Sequence, residues 1–161
     1  MLSHEQAVKR IDRYLLGARD RVILFNVSKT SGLECYVDAH FAGAWDKEDS
    51  DDPNNVLSRT GFVAFYARCP LVWASRMQTE IALSTTKSEY IALSTVMREF
   101  LSLMLLMDEI HKIFDIERPK PKIHCKVYED NESCISMAKR KKFSPRTKDI
   151  GTKYHHFRLL V

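Results

Sequence analysis

Three acids in this chain, Asp38, Glu89 and Asp130, stand where carboxylates could meet. Asp38 comes near the end of an alternating run, Leu33–Phe41, in which Leu33, Cys35 and Val37 alternate with Glu34, Tyr36 and Asp38. Asp130 follows a second alternating run, Lys122–Tyr128, with Ile123, Cys125 and Val127 on one face. Glu89 falls in the first turn of a long helical pattern between the two. In open α/β sheets, sites form at the carboxyl ends of strands, near where the strand order reverses. Carboxylates gathered there repel one another unless a cation compensates them. Oxygen donors without His or Cys select a hard ion, Mg²⁺ or Mn²⁺. Helix capping competes with that reading: Thr86 and Glu89 have capping-box spacing, and Asp130-Asn131 stands before another helical run. The residues alone leave both open.

The elements that must position these acids follow in a clear order. Residues 4–17 place Ala7, Ile11, Tyr14 and Leu15 at helical spacing, with Gly17 suited to the stop. The run Arg21–Val27 reads as a buried strand, and 28–32 as a turn. After the strand 33–41, an acidic loop spans 46–56. Two further strands, Gly61–Arg68 and Leu71–Ser75, read as a hairpin joined through Cys69-Pro70. From Thr86 to about Phe114 runs the longest helix. Tyr90, Leu93, Met97, Leu101 and Met104 form one of its stripes, and Val96, Phe100, Leu103, Met107 and Ile110 form another. Two adjacent stripes suit a helix lying across a sheet, with Trp73 packed beneath it. A strand over 122–128, a short helix over 131–141, a loop at 143–146 and a last helix over 147–160 complete the reading. His155 and His156 read as a surface pair on that last helix. The class is α/β: three antiparallel strands, a crossover helix, then a strand parallel to the first.

Composition narrows the function classes. A chain of 161 residues with 45% hydrophobic and 29% charged residues can build a packed core. No uncharged stretch approaches the roughly 20 residues of a membrane span, and the N-terminus has no signal-peptide core. Cys35, Cys69, Cys125 and Cys134 lack CxxC spacing, which suits reduced thiols and an intracellular protein. The net charge of +4 is unevenly spread. Residues 46–52 hold five acids and one base, whereas Arg118–Val161 holds twelve Lys/Arg and four Asp/Glu. A basic C-terminal third suits phosphate binding, and equally a solvated helical face.

Several blocks resemble the ribonuclease H domain of copia-type retrotransposon Pol polyproteins. Tyr36-Val37-Asp38-Ala39-His40-Phe41-Ala42-Gly43 is similar to that family's Y-x-D-A-D-W-A-G. Ser58-Arg59-Thr60-Gly61-Phe62-Val63 resembles its R-S-T-S-G-Y strand. Trp73-Ala74-Ser75-Arg76-Met77-Gln78, followed by Ala82–Leu93 with Ser88-Glu89-Tyr90, resembles W-S-S-K-K-Q and A-L-S-S-T-E-A-E-Y-x-A-L. Asp130-Asn131-Glu132-Ser133 matches D-N-x-S, and Arg146–Phe157 resembles R-T-K-H-I-x-x-x-Y-H-x-F. His4–Asp20 resembles the connection that follows a reverse transcriptase.

The resemblance implies a ribonuclease H-like mixed sheet of order 3-2-1-4-5, with helices on both faces. It divides the chain into a connection segment, 1–30, and an incomplete ribonuclease H-like domain, 31–161, lacking the fifth strand and last helix. It implies hydrolysis of RNA in RNA–DNA hybrids, with two Mg²⁺ or Mn²⁺ ions held by Asp38, Glu89 and Asp130. Asn131, Lys139, Arg140, Lys141, Lys142, Arg146 and Lys148 are the expected nucleic-acid contacts, and the reverse transcriptase region of the same polyprotein the expected protein partner. His40 and Phe41 stand where the family has Asp and Trp, Asp149 where it has His, and Gly151 where an acid is common. The 161-residue chain alone is expected to show reduced or no nuclease activity. The alternative is an inactive remnant that only binds nucleic acid or serves as a structural module.

Overall fold

A computed structural model describes residues 4–28, 31–43, 53–116, 125–140, 150 and 152–159. Its elements are α1 (His4–Gly17), β1 (Leu33–His40), a 3₁₀ turn (Pro53–Val56), β2 (Arg59–Tyr66), β3 (Cys69–Met77), α2 (Thr85–Ile113), β4 (Cys125–Tyr128), α3 (Glu132–Lys139) and a 3₁₀ segment (Thr152–Leu159). The strands form one mixed sheet of order β3-β2-β1-β4. β1–β2 and β2–β3 are antiparallel, while β4 runs parallel to β1 with Cys35 opposite Val127. This is the expected α/β architecture, with α2 as the crossover between β3 and β4.

Alternation decides what each strand buries. Along β1, Leu33, Cys35, Val37 and Ala39 are buried, while Tyr36, Asp38 and His40 are exposed. The buried set joins Phe62 and Ala64 of β2 and Ala92, Val96 and Phe100 of α2 in one apolar cluster. On its other side, α2 contributes Tyr90, Ile91 and Leu93 to a second cluster with Cys134, Met137 and Ala138 of α3, Ile150, Tyr154 and Phe157. The first half of the helix is therefore enclosed between sheet and C-terminal segments. By length and composition α2 could also cross a membrane, but here the apolar residues of its first half line these two clusters, while Leu105, Leu106 and Ile113 farther along are exposed.

The opposite face of the sheet carries Tyr36 stacked on Tyr128, ring centroids 4.7 Å apart. Trp73 lies on that face too, not under α2, and is 70% exposed. Its cross-strand partner Val63 sits between Phe62 and Ala64, the β2 residues that point toward α2, so parity turns Trp73 away.

Other local expectations change. The hairpin turns at Ala67-Arg68, not Cys69-Pro70, and both residues take left-handed φ of 52° and 67°. Consecutive positive φ values suit the two-residue turn whose twist matches paired strands. Arg21–Val27 forms no strand: Val22, Ile23 and Leu24 are 78%, 78% and 87% exposed. A β-prone run becomes a strand only when a ladder partner and a covering face exist. At its end Ser28 N–H donates to the Ala67 carbonyl at 2.9 Å, which ties this arm to the hairpin turn. None of the side chains from His4 to Ser28 is buried. Near the C-terminus the helical reading holds as a 3₁₀ segment over 152–159; residues 141–149 and 151 lie outside the described residues. His155 is no surface residue: it is buried and lies 2.8 Å from the Tyr90 hydroxyl.

Candidate metal centre

Three elements deliver the acids to one place. Asp38 stands on β1, two residues before its end; Glu89 is the fifth residue of α2; Asp130 directly follows the Glu129 that ends the β4 pattern. One carboxylate oxygen from each lies within 4.8 Å of the other two. Asp38 and Asp130 are exposed, and Glu89 is buried at 7% exposure.

Capping does not account for any of them. The N-cap of α2 is Ser84, whose hydroxyl accepts from Lys87 N–H at 3.2 Å, so the Thr86/Glu89 box does not form. The N-cap of α3 is Asn131, which accepts from Cys134 N–H at 2.9 Å and leaves the Asp130 carboxylate out of the cap. The helix starts two residues earlier than the spacing suggested, which carries Glu89 deeper into its second turn.

Electrostatics at the site is dominated by burial. The Glu89 carboxyl is pushed up from 4.5 to about 7, by burial first, then by Glu129, Asp38 and Asp130; an Ala39 backbone hydrogen bond opposes this. Glu89 Oε2 is buried with no hydrogen-bond partner. A buried, unpartnered carboxylate oxygen facing two further carboxylates is costly without a cation. An all-oxygen donor set of this kind fits a hard divalent ion such as Mg²⁺ or Mn²⁺.

Glu129 is a fourth acid that the reading of the residues passed over. Its carboxylate accepts from Asn131 N–H at 3.2 Å, and its other oxygen is buried without a partner. Burial raises it to about 7; the Asn131 N–H lowers it, and Asp130 and Asp38 raise it further. A signal for it existed: Cys125, Val127 and Glu129 share the less exposed parity of the β4 run.

The remaining expected site residues divide. Asn131 borders the carboxylates as the α3 cap, while Lys139 and Arg140 are exposed at the far end of α3, about 12 Å along the helix axis. Lys141, Lys142, Arg146 and Lys148 lie outside the described residues, as does Gly151. His40 ends β1 with its ring over Gly43, in the space a β-carbon there would fill. All four cysteines are free. Burial pushes the Cys35 and Cys125 thiols up to about 12, as for inert core thiols.

The chain is 32% identical over 98% of its length to the retrovirus-related Pol polyprotein from transposon TNT 1-94 of Nicotiana tabacum, of which that stretch is 11%. It is 31% and 30% identical over 96% of its length to those of the transposons RE1 and RE2 of Arabidopsis thaliana, 10% of each. The chain resembles a segment of transposon Pol polyproteins almost end to end. It spans about a tenth of the length of these Pol relatives. No family model and no solved structure matches the chain.

Proposed function

We propose that this Pol-like segment is a ribonuclease H-type nuclease domain acting on the RNA strand of RNA–DNA hybrids. The observation that carries the reading is the meeting of Asp38, Glu89 and Asp130, from three separate elements, within 4.8 Å. Two divalent ions, Mg²⁺ or Mn²⁺, bound there would activate water and stabilise the leaving oxygen of a phosphodiester. Glu89, enclosed by α2 and β1, supplies the fixed donor. Asp38 and Asp130, open to solvent, form the rim that a backbone phosphate approaches. Lys139 and Arg140 extend positive charge along α3 for neighbouring phosphates, contacts that position the duplex without reading its sequence. The hybrid's shape and its 2′-hydroxyls would then select RNA for cleavage. The reverse transcriptase region of the same polyprotein is the proposed source of that hybrid.

The test is single-turnover cleavage of a hybrid labelled in its RNA strand, with Mg²⁺ and excess protein. Slow cleavage, reduced as the sequence of this chain alone implies, is expected from the wild type and is expected to fall about a hundredfold or more in Asp38→Asn. Cleavage that survives Asp38→Asn unchanged sinks the site assignment. Hybrid binding without cleavage by the wild type points instead to a binding module that keeps the fold alone.

A further inference from the structure

The block Trp73–Gln78 is as distinctive as the acids, yet nothing in the nuclease reading uses it. Gln78, one residue past β3, is 5% exposed, between half-buried Met77 and exposed Thr79. Its backbone N–H donates to the Ser58 carbonyl at 2.8 Å, extending the β2–β3 ladder by one rung. Its side-chain Nε2 donates twice, to Thr60 Oγ1 at 3.1 Å and to the Ser88 carbonyl at 2.9 Å. Ser88 directly precedes Glu89. Thr60 stands opposite Ala39 across the β1–β2 pair, and the Ala39 backbone N–H is the donor to the Glu89 carboxylate. The contacts close into a ring: Gln78 to Ser88, along the helix to Glu89, across to Ala39, over the ladder to Thr60, and back to Gln78.

We propose that Gln78 is a positioning residue for the metal centre, clamping the first turns of α2 to the strand pair that carries Asp38. This inference rests on the metal-binding reading of Asp38, Glu89 and Asp130. The choice of a polar residue supports it. Gln78 Oε1 is buried without a partner, so an apolar side chain of the same length would fill the space without stranding an acceptor. Flipping the amide would set that oxygen against the Ser88 carbonyl, two acceptors face to face. The two donated bonds are therefore what the glutamine supplies. Partners behind metal ligands fix the ligands' orientation, and losing one weakens metal binding about 10- to 100-fold.

The experiment compares Gln78→Met with Val96→Ala, a core truncation two helical turns beyond Glu89, measuring melting temperature, Mn²⁺ affinity by titration calorimetry, and amide exchange at Ala39 by NMR. Gln78→Met is expected to weaken Mn²⁺ binding about tenfold and to speed exchange at Ala39. Val96→Ala is expected to lower the melting temperature while changing neither. Thr60→Val, which keeps the shape and removes one acceptor, is expected to act like Gln78→Met but more weakly; it decides the matter if Gln78→Met does not fold. Equal losses in the Gln78 or Thr60 variant and in Val96→Ala, or no change at Ala39, overturn the clamp. A wild type that binds no Mn²⁺, with exchange at Ala39 still sped by Gln78→Met, upholds the clamp and overturns the metal reading instead.

Discussion

The two halves of α2 share one apolar rhythm and sit in opposite surroundings. From Lys87 to Phe100 ten side chains are buried, and beyond Phe100 only His111 is. Leu105, Leu106 and Ile113 are 69%, 51% and 75% exposed. Helical spacing dictates which residues share a face, but distant segments dictate whether anything covers it. The sheet closes over one side of the first half, and α3 with Ile150, Tyr154 and Phe157 closes over the other. That enclosed half is also the one that carries Glu89. Its burial serves the site by holding one carboxylate rigid, and it burdens the fold by holding a charge away from water.

The sharpest way to break the comparison is to truncate the same kind of residue in each half. Phe100 is 1% exposed and meets Phe62 edge-on at 6.5 Å. Phe100→Ala is expected to cost about 3–5 kcal/mol in urea unfolding, a large share of the ordinary stability of a domain. A cost near 1 kcal/mol would show that the first half is no better enclosed than the second.

The same contrast explains what the residues alone disclosed. Three antiparallel strands, the crossover helix and a parallel fourth strand were legible, because period-2 and period-3.6 patterns are local and Asp38, Glu89 and Asp130 stand at their ends; the order β3-β2-β1-β4 rested on the family resemblance. What stayed hidden depended on partners. Arg21–Val27 has the composition of a strand but no ladder to join. Trp73 has the bulk of a core residue but the parity of the open face. His155 looked like a surface histidine until Tyr90, 65 positions away, met it. Glu129 was legible in principle, since its parity matches Val127, but its burial depends on packing that no local pattern encodes.

Buried Glu89 and half-buried Glu129 beside it give the enclosed side of the molecule a pH dependence. Glu89 and Glu129 are raised from 4.5 to about 7 in the fold. Between those values the unfolded chain has lost protons that the folded chain retains, so the metal-free protein loses stability as pH rises through the window. Its melting temperature in chelator is expected to fall between pH 5 and pH 8, by about 2–4 °C for each kcal/mol lost. Glu89→Gln should flatten part of that slope and raise the melting point at pH 8, while removing a donor for Mn²⁺. A melting temperature that holds level from pH 5 to pH 8 would mean that neither carboxyl is held protonated by burial.

The smallest expected effect belongs to the exposed half itself. Leu105→Ser changes a side chain that is 69% exposed, and such substitutions usually stay within about 0.5 kcal/mol. Little transfer energy is at stake, because most of the leucine's surface already faces water and only the shielded remainder is lost. Urea unfolding of Leu105→Ser beside the wild type measures this directly. A loss above about 1.5 kcal/mol would exceed that remainder and show that something covers the second half of α2 in solution. Repeating the measurement across protein concentrations then separates the sources. A second copy of the chain makes the loss grow with concentration by mass action, whereas cover from within the same molecule leaves it constant.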